Sequence, residues 1–162
     1  MAAIKNIIFD YGNVIFMLDF VRQQNAWKEI GILEPEKFYG HKVQDNLFDA
    51  FERGDACAAE FRDHVRKKTG NNELTDMQID YAWNSLLIGI PPGNIELLLK
   101  LKSKYRTFLL SNINAIHYDY IMNYLKNDFG FEVFYGLFCI TVQRHVDLLD
   151  RIFLELADLF LA

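Results

Sequence analysis

The chain has 162 residues, enough for one domain or one domain with a modest insertion, and its 51% hydrophobic and 24% charged content is globular. That excludes a disordered, collagenous or coiled-coil chain and makes a covalent staple unnecessary. Seventeen Lys and Arg against twenty-two Asp and Glu give a net charge of −5, which excludes a broad basic face for nucleic acid and leaves small molecules or proteins as partners.

Ile4 to Phe9 is a short β-branched and aromatic run ended by Asp10, Gly12 and Asn13, so it reads as a buried strand entering a turn. Lys5 and Asp10 also interrupt this run before a signal-peptide core forms. Cys57 and Cys139 fit no zinc spacing and read as free thiols, so a cytoplasmic protein is expected. From Phe20 to Leu87 the spacing turns helical, with Phe48, Phe51 and Phe61 among charges and breaks at Gly31, Pro35, Gly54 and Gly70. Three to five short helices and no convincing strand are expected there. Pro91-Pro92-Gly93-Asn94 punctuates, and a helix follows over Ile95 to Lys102 with Ile95, Leu98 and Leu99 on one side. Thr107 to Leu110 is a second buried strand, stopped by Ser111-Asn112. A helix from Ala115 to Lys126 comes next, its apolar side built from Ile116, Tyr120, Ile121 and Tyr124. Phe131 to Val142 reads as a third strand, with Gly136 inside it as a bulge or close approach. Val146 to Ala162 reads as an amphipathic helix: it carries Asp147, Asp150, Arg151, Glu155 and Asp158, and it falls short of the roughly 20 apolar residues a membrane span needs.

Strands alternating with helices predict an α/β fold, a Rossmann-like parallel sheet with helices packed on it. The helical stretch at 18–89 is expected to sit as a cap inserted after the first strand, over a core made of 1–17 and 90–162. In such sheets ligands bind beyond the carboxyl ends of the strands, where Asp10 and Ser111 are placed. A carboxylate at a strand tip can attack phosphorus, and turn amides near Gly12 and Asn13 can hold the transferring oxygens. Ser111 and Asn112 repeat the design, because a hydroxyl, an amide and a following helix N-terminus favour an anion. Taken singly each segment has a plainer reading: Asp10 ends a strand, Gly12 serves a turn, and Ser111 or Asn112 caps a helix.

Together, Ile8-Phe9-Asp10-Tyr11-Gly12-Asn13-Val14-Ile15 and Leu110-Ser111-Asn112 resemble the first two motifs of the haloacid dehalogenase-like (HAD) superfamily. The first is similar to the Asp-x-Gly-Asn-Val variant found among its sugar-phosphate phosphatases. The stretches Phe51-Glu52-Arg53-Gly54-Asp55 with Phe61, and Ala82-Trp83-Asn84-Ser85-Leu86-Leu87, are similar to caps of that subgroup, and the likeness covers about residues 4 to 138. The resemblance implies Asp10 as nucleophile and as a ligand of Mg2+, the Gly12 carbonyl as a second ligand, and Ser111 as the phosphoryl-binding hydroxyl assisted by Asn112. It implies a phosphatase acting on a small phosphorylated metabolite such as a sugar phosphate, through an aspartyl-phosphate.

Three departures accompany it. Gly12 stands where the superfamily usually has a general acid/base Asp. No Lys before a Pro follows the third strand; Asp147 falls near its place and Arg144 is the nearest cation. The acidic pair expected on a fourth strand is not found by Ala162, which implies an incomplete C-terminal part. An open edge on the first strand would then invite a homodimer. The rival reading is a catalytically silent relative that binds a phosphorylated ligand or partner, and a weaker one is haloacid dehalogenation without metal. His41, His64, His117 and His145 share no ligand spacing, although His117 could face the cleft, and Trp83 could touch substrate. Arg66-Lys67-Lys68 reads as a solvated helix end.

Overall fold

Backbone and side-chain positions come from a computed structural model, which describes residues 4–37, 39–40, 43–44, 46–129 and 141–143. The first apolar run forms β1 (Asn6–Phe9), and a turn leads to the two-residue β2 (Met17–Leu18). Helix α1 (Phe20–Glu29) starts at Asp19, whose carboxylate accepts the Arg22 N–H at 2.9 Å. A 3-10 turn at Pro35–Lys37 precedes the small antiparallel pair β3 (Tyr39–Gly40) and β4 (Val43–Gln44). Three helices follow: α2 (Asn46–Arg53), α3 (Ala58–Thr69) and α4 (Asp76–Asn84). Helix α3 ends at Gly70 with φ 65°, a conformation that costs glycine little. Helix α4 opens with a reciprocal pair in which Thr75 and Gln78 each bond the other's backbone N–H.

Strand β5 (Leu87–Gly89) runs antiparallel to β2, so the chain leaves and re-enters the helical layer through one ribbon. After Pro91-Pro92, Gly93 starts α5 (Asn94–Lys102), which feeds β6 (Arg106–Ser111), α6 (Ala115–Asp128) and β7 (Thr141–Gln143). Strand β6 is the middle of a parallel sheet, with β1 on one side and β7 on the other. Parallel neighbours need long crossovers, and the helices supply them.

Two apolar clusters hold these layers. One joins Tyr11, Ile15 and Phe16 after β1 to Leu98 of α5, Leu109 of β6, and Ile121 and Leu125 of α6. The other is aromatic: Phe51 stacks on Phe61 at 4.5 Å, Phe61 lies 4.9 Å from Trp83, and Phe48 meets Phe61 edge-on at 5.1 Å. Ile116 of α6 belongs to this second cluster, so α6 is seated in both.

Some expectations are corrected. Leu99 is half exposed and Tyr120 exposed, because each lies at the margin of its helix's apolar stripe and Leu98 and Ile121 take the buried centre. Strands β3, β4 and β5 interrupt the supposedly all-helical stretch; they are two or three residues long, too short to show a period of two. The third strand is seen at Thr141–Gln143, and the remainder of the expected run, 131–140, lies outside the described residues, as does the expected terminal helix at 146–162. Among the described residues no helix is long and apolar enough to cross a membrane.

Candidate active site

The site begins with the turn that ends β1. The Tyr11 carbonyl gathers the N–H groups of Val14, Ile15 and Phe16 at 3.4, 2.9 and 2.9 Å, while Asn13 N–H donates to the Phe16 carbonyl at 2.8 Å. Asn13 takes φ 56°, the left-handed region that Asn tolerates better than most residues, and its side-chain oxygen accepts the Leu18 N–H at 3.0 Å. Beneath, the Tyr11, Ile15 and Phe16 side chains are buried, and Asn94 at the start of α5 donates to the Ile15 carbonyl at 3.2 Å. The turn is therefore fixed from below while Asp10 stays exposed, one carboxylate oxygen accepting the Tyr11 N–H at 2.6 Å. Burial pushes the Tyr11 phenol up, far from any role as a proton donor near neutral pH. A Cβ on Gly12 would come within 3.0 Å of Leu18 Cδ1, so this position has little room for a side chain as the turn stands.

Strand pairing brings the second motif alongside. In the parallel ladder Phe9 lies opposite Leu109, so Asp10 and Ser111 emerge at the same end of the sheet from adjacent strands, which lie about 4.8 Å apart. The Ser111 hydroxyl makes only a long 3.4 Å contact to the Asn112 carbonyl, and Asn112 is exposed. Neither caps the next helix. That role falls to Asn114, whose side-chain oxygen accepts the His117 N–H at 3.0 Å.

Asn114 is 1% exposed and carries further bonds. Its oxygen also accepts the Trp83 indole N–H at 3.2 Å, and its amide nitrogen donates to Glu52 Oε1 at 2.8 Å and to His117 Nδ1 at 3.0 Å. His117 Nε2 donates to the Trp83 carbonyl at 3.2 Å, where Gln23 also donates at 3.0 Å. His117 stacks on the Trp83 ring, the two centroids 5.0 Å apart. Burial holds the His117 imidazole down at about 4, so it is neutral near pH 7. Burial raises Glu52, with the bond from Asn114 working the other way. Both His117 and Trp83 are thus committed to the interior, and neither faces a cleft. Residue spacing gave Asn114 one signal, its position just before the helical period and three residues before His117. Its tie to Glu52 spans 62 residues and has no local signature.

A cleft of about 460 Å3 opens between the α2–α3 connection and the loop after β6, lined by Gly54, Asp55, Ala58 and Glu60 on one side and Ile113 and Asn114 on the other. Asp55 is paired with Arg53 at 2.9 Å, and Glu60 accepts the Cys57 N–H at 2.8 Å. Cys57 is a free, exposed thiol, and Cys139 lies outside the described residues. His64 is partly buried, with a ring edge toward Phe48, and His41 and His145 lie outside the described residues. Arg66 is less solvated than the basic run suggests: it donates to the Leu74 carbonyl at 2.7 Å and pairs with Asp63 and Asp76. Among the described residues no three His, Cys, Asp or Glu side chains cluster as a metal would require. Arg144 and Asp147 lie outside them.

A parallel sheet that carries a carboxylate and a hydroxyl at one rim, at the ends of adjacent strands, is an α/β scaffold for binding and transferring an anionic group. No family model matches the chain. Over 111 residues it is 31% identical to the D-ribitol-5-phosphate phosphatase of Bacteroides thetaiotaomicron, an alignment covering 68% of this chain and 53% of that one. The chain thus spans about half the length of this curated relative. Among solved structures, a HAD family enzyme of Bacteroides thetaiotaomicron in mutant form, complexed with magnesium and inorganic phosphate, matches with a TM-score of 0.79 at 38% identity, covering 88% of this chain and 70% of that one. A HAD-like family hydrolase of Porphyromonas gingivalis matches with a TM-score of 0.76 at 29% identity, covering 97% and 77%. The chain belongs to the haloacid dehalogenase-like superfamily.

Proposed function

We propose that this chain carries the phosphoryl-transfer site of a HAD phosphatase acting on small phosphate monoesters such as sugar phosphates. The observation that carries this reading is the register of β1 against β6, which sets Asp10 and Ser111 at one rim on adjacent strands. In the reaction an Asp10 carboxylate oxygen attacks phosphorus, the P–O bond to the alcohol breaks, and the leaving oxygen takes a proton from solvent because Gly12 offers no carboxyl. Water then attacks the aspartyl-phosphate, releasing inorganic phosphate and restoring Asp10. Ser111 donates to a phosphate oxygen, with Asn112 and the Asn13 side-chain NH2 completing the cradle, since the N–H groups of residues 13–16 are spent within the turn.

The donor set at this rim fits a hard cation: an exposed carboxylate and a main-chain carbonyl. Asp10 and the Gly12 carbonyl would hold Mg2+, which when bound neutralises charge on the phosphate. Both magnesium and phosphate occur in the complex of the Bacteroides neighbour. The region at 18–89 serves as a cap over the core, and the cleft beneath it receives the rest of the substrate. Among the described residues its lining includes two acidic residues, Asp55 and Glu60, and no Lys or Arg, which favours a neutral, hydroxyl-bearing leaving group over one with a second anionic charge.

The test is hydrolysis of a generic phosphomonoester by purified protein with Mg2+. Turnover that Asp10→Asn removes supports the reading; equal rates for both proteins overturn it. Phosphate-dependent thermal stabilisation without turnover would instead identify a silent relative that binds a phosphorylated ligand. Halide release without metal would identify a dehalogenase.

A further inference from the structure

The backbone of Ser111 ends β6 in the ladder opposite Gln143 of β7, but the phosphate-facing side chains of Ser111 and Asn112 and the loop that leaves the strand have little local support. Ser111 makes one 3.4 Å contact within the loop, and Asn112 is exposed. Two residues further on, Asn114 is 1% exposed, and both of its side-chain atoms are engaged twice: the oxygen by Trp83 and the His117 N–H, the nitrogen with Glu52 and His117 Nδ1. Trp83 lies in the last turn of α4 and Glu52 in α2, so two of these partners come from the helical layer and one from α6. A primary amide offers two acceptor sites and two donors, and here all four are used. Such a group is costly to move, since breaking any one bond strands a buried polar partner.

We infer that Asn114 is a positioning residue that couples the helical layer to the phosphate loop, fixing Ser111 and Asn112 by holding the loop's far end against Trp83 and Glu52. This rests on the phosphate-site reading above. Glu52 is the half of the coupling that can be re-engineered. In Asn114→Asp two carboxyls meet where an amide met a carboxyl, and adding Glu52→Gln restores the bond with donor and acceptor exchanged.

The experiment uses the whole 162-residue chain and two measurements: hydrogen exchange at the Trp83 indole N–H by NMR, and affinity for inorganic phosphate in the presence of Mg2+ by calorimetry. Asn114→Ala and Asn114→Asp are each expected to speed exchange and weaken phosphate binding about tenfold, the equivalent of one lost buried hydrogen bond. The double variant Asn114→Asp with Glu52→Gln is expected to recover part of both, since the bond to residue 52 returns while the aspartate oxygen still faces His117 Nδ1. Should Asn114→Ala fail to fold, the comparison of Asn114→Asp with the double variant decides alone. Unchanged phosphate affinity in the single variants, or a double variant no better than Asn114→Asp, overturns the coupling. A wild-type chain that binds no phosphate overturns the phosphate-site reading and this inference with it, and that failure shows before any substitution is made.

Discussion

The turns after β1 and β6 share a plan, an apolar strand running into polar residues at the sheet rim, yet they are stabilised by opposite means. After β1 the turn makes most of its own bonds, with Asn94 of α5 adding one to the Ile15 carbonyl: one Tyr11 carbonyl collects three N–H groups, Asn13 adopts φ 56°, and buried Ile15 and Phe16 anchor the loop. After β6 the loop depends on a distant partner, because Asn114 passes its side chain to Glu52 and Trp83 in the helical layer. A turn that carries its own framework can expose a carboxylate without losing its place. A turn that borrows its framework ties its position to another layer. On the proposed mechanism, the reacting group therefore stands on the self-supporting turn and its binding partner on the coupled one.

The largest effect expected from breaking this contrast is at Asp10. Asp10→Asn keeps size and exposure but removes the nucleophile, so kcat for phosphomonoester hydrolysis should fall by roughly 10^4-fold or more. The unfolding midpoint should hardly move, because Asp10 is exposed and its one local bond, from the Tyr11 N–H at 2.6 Å, survives in the amide oxygen. A large drop in thermal stability would show that Asp10 supports its turn after all.

The coupled turn predicts a pH signature instead. His117 is held at about 4 against an ordinary 6.5, so the unfolded chain binds its proton first as pH falls, and stability is lost between those values by about 3 kcal/mol. Glu52 has the opposite sign. Its pKa is raised in the fold, so the folded state gains its proton first, and this contribution favours the fold at low pH and is lost as pH rises. Chemical denaturation followed from pH 7 to 4 should show a flatter acid loss in His117→Gln and a steeper one in Glu52→Gln. Parallel curves for wild type and His117→Gln would refute the buried neutral imidazole.

Much of this scaffold was legible in the residues. Strands β1 and β6, helices α5 and α6 and the common rim of Asp10 and Ser111 follow from runs of apolar residues and the rule that parallel strands end together. Superfamily membership followed from the same two motifs. The rest depends on tertiary partners. Leu99 and Tyr120 lie at the edge of helical stripes, where periodicity cannot tell inside from outside. Strands β2 and β5 exist because Met17–Leu18 and Leu87–Gly89 find each other across the whole helical layer. Asn114, Glu52 and His117 are polar residues that look solvated in sequence and become the joint only when three helices converge on them.

Smaller effects sharpen the contrast at the first turn. Asn13→Ala should cost about 2 kcal/mol, because alanine loses the bond from Leu18 N–H and the local side-chain interactions that let Asn tolerate φ 56°, and Asn13→Gly about 1 kcal/mol, because glycine loses the bond but carries no Cβ into that conformation. Equal losses in urea unfolding would mean that the left-handed conformation carries no strain here. The least effect is expected at Gly12. An alanine Cβ would meet Leu18 Cδ1 at 3.0 Å, but Leu18 Cγ stands at 3.8 Å and the contact is with the free end of a flexible side chain. Leu18 can give by a few tenths of an ångström, so Gly12→Ala should cost less than about 1 kcal/mol, and Leu18→Ala in the same chain should cancel most of that cost. Non-additivity of that pair would locate the crowding at the Leu18 tip. A cost that Leu18→Ala leaves untouched would place it in the backbone of the turn, and the self-supporting loop would then tolerate no side chain at position 12 whatever its neighbours.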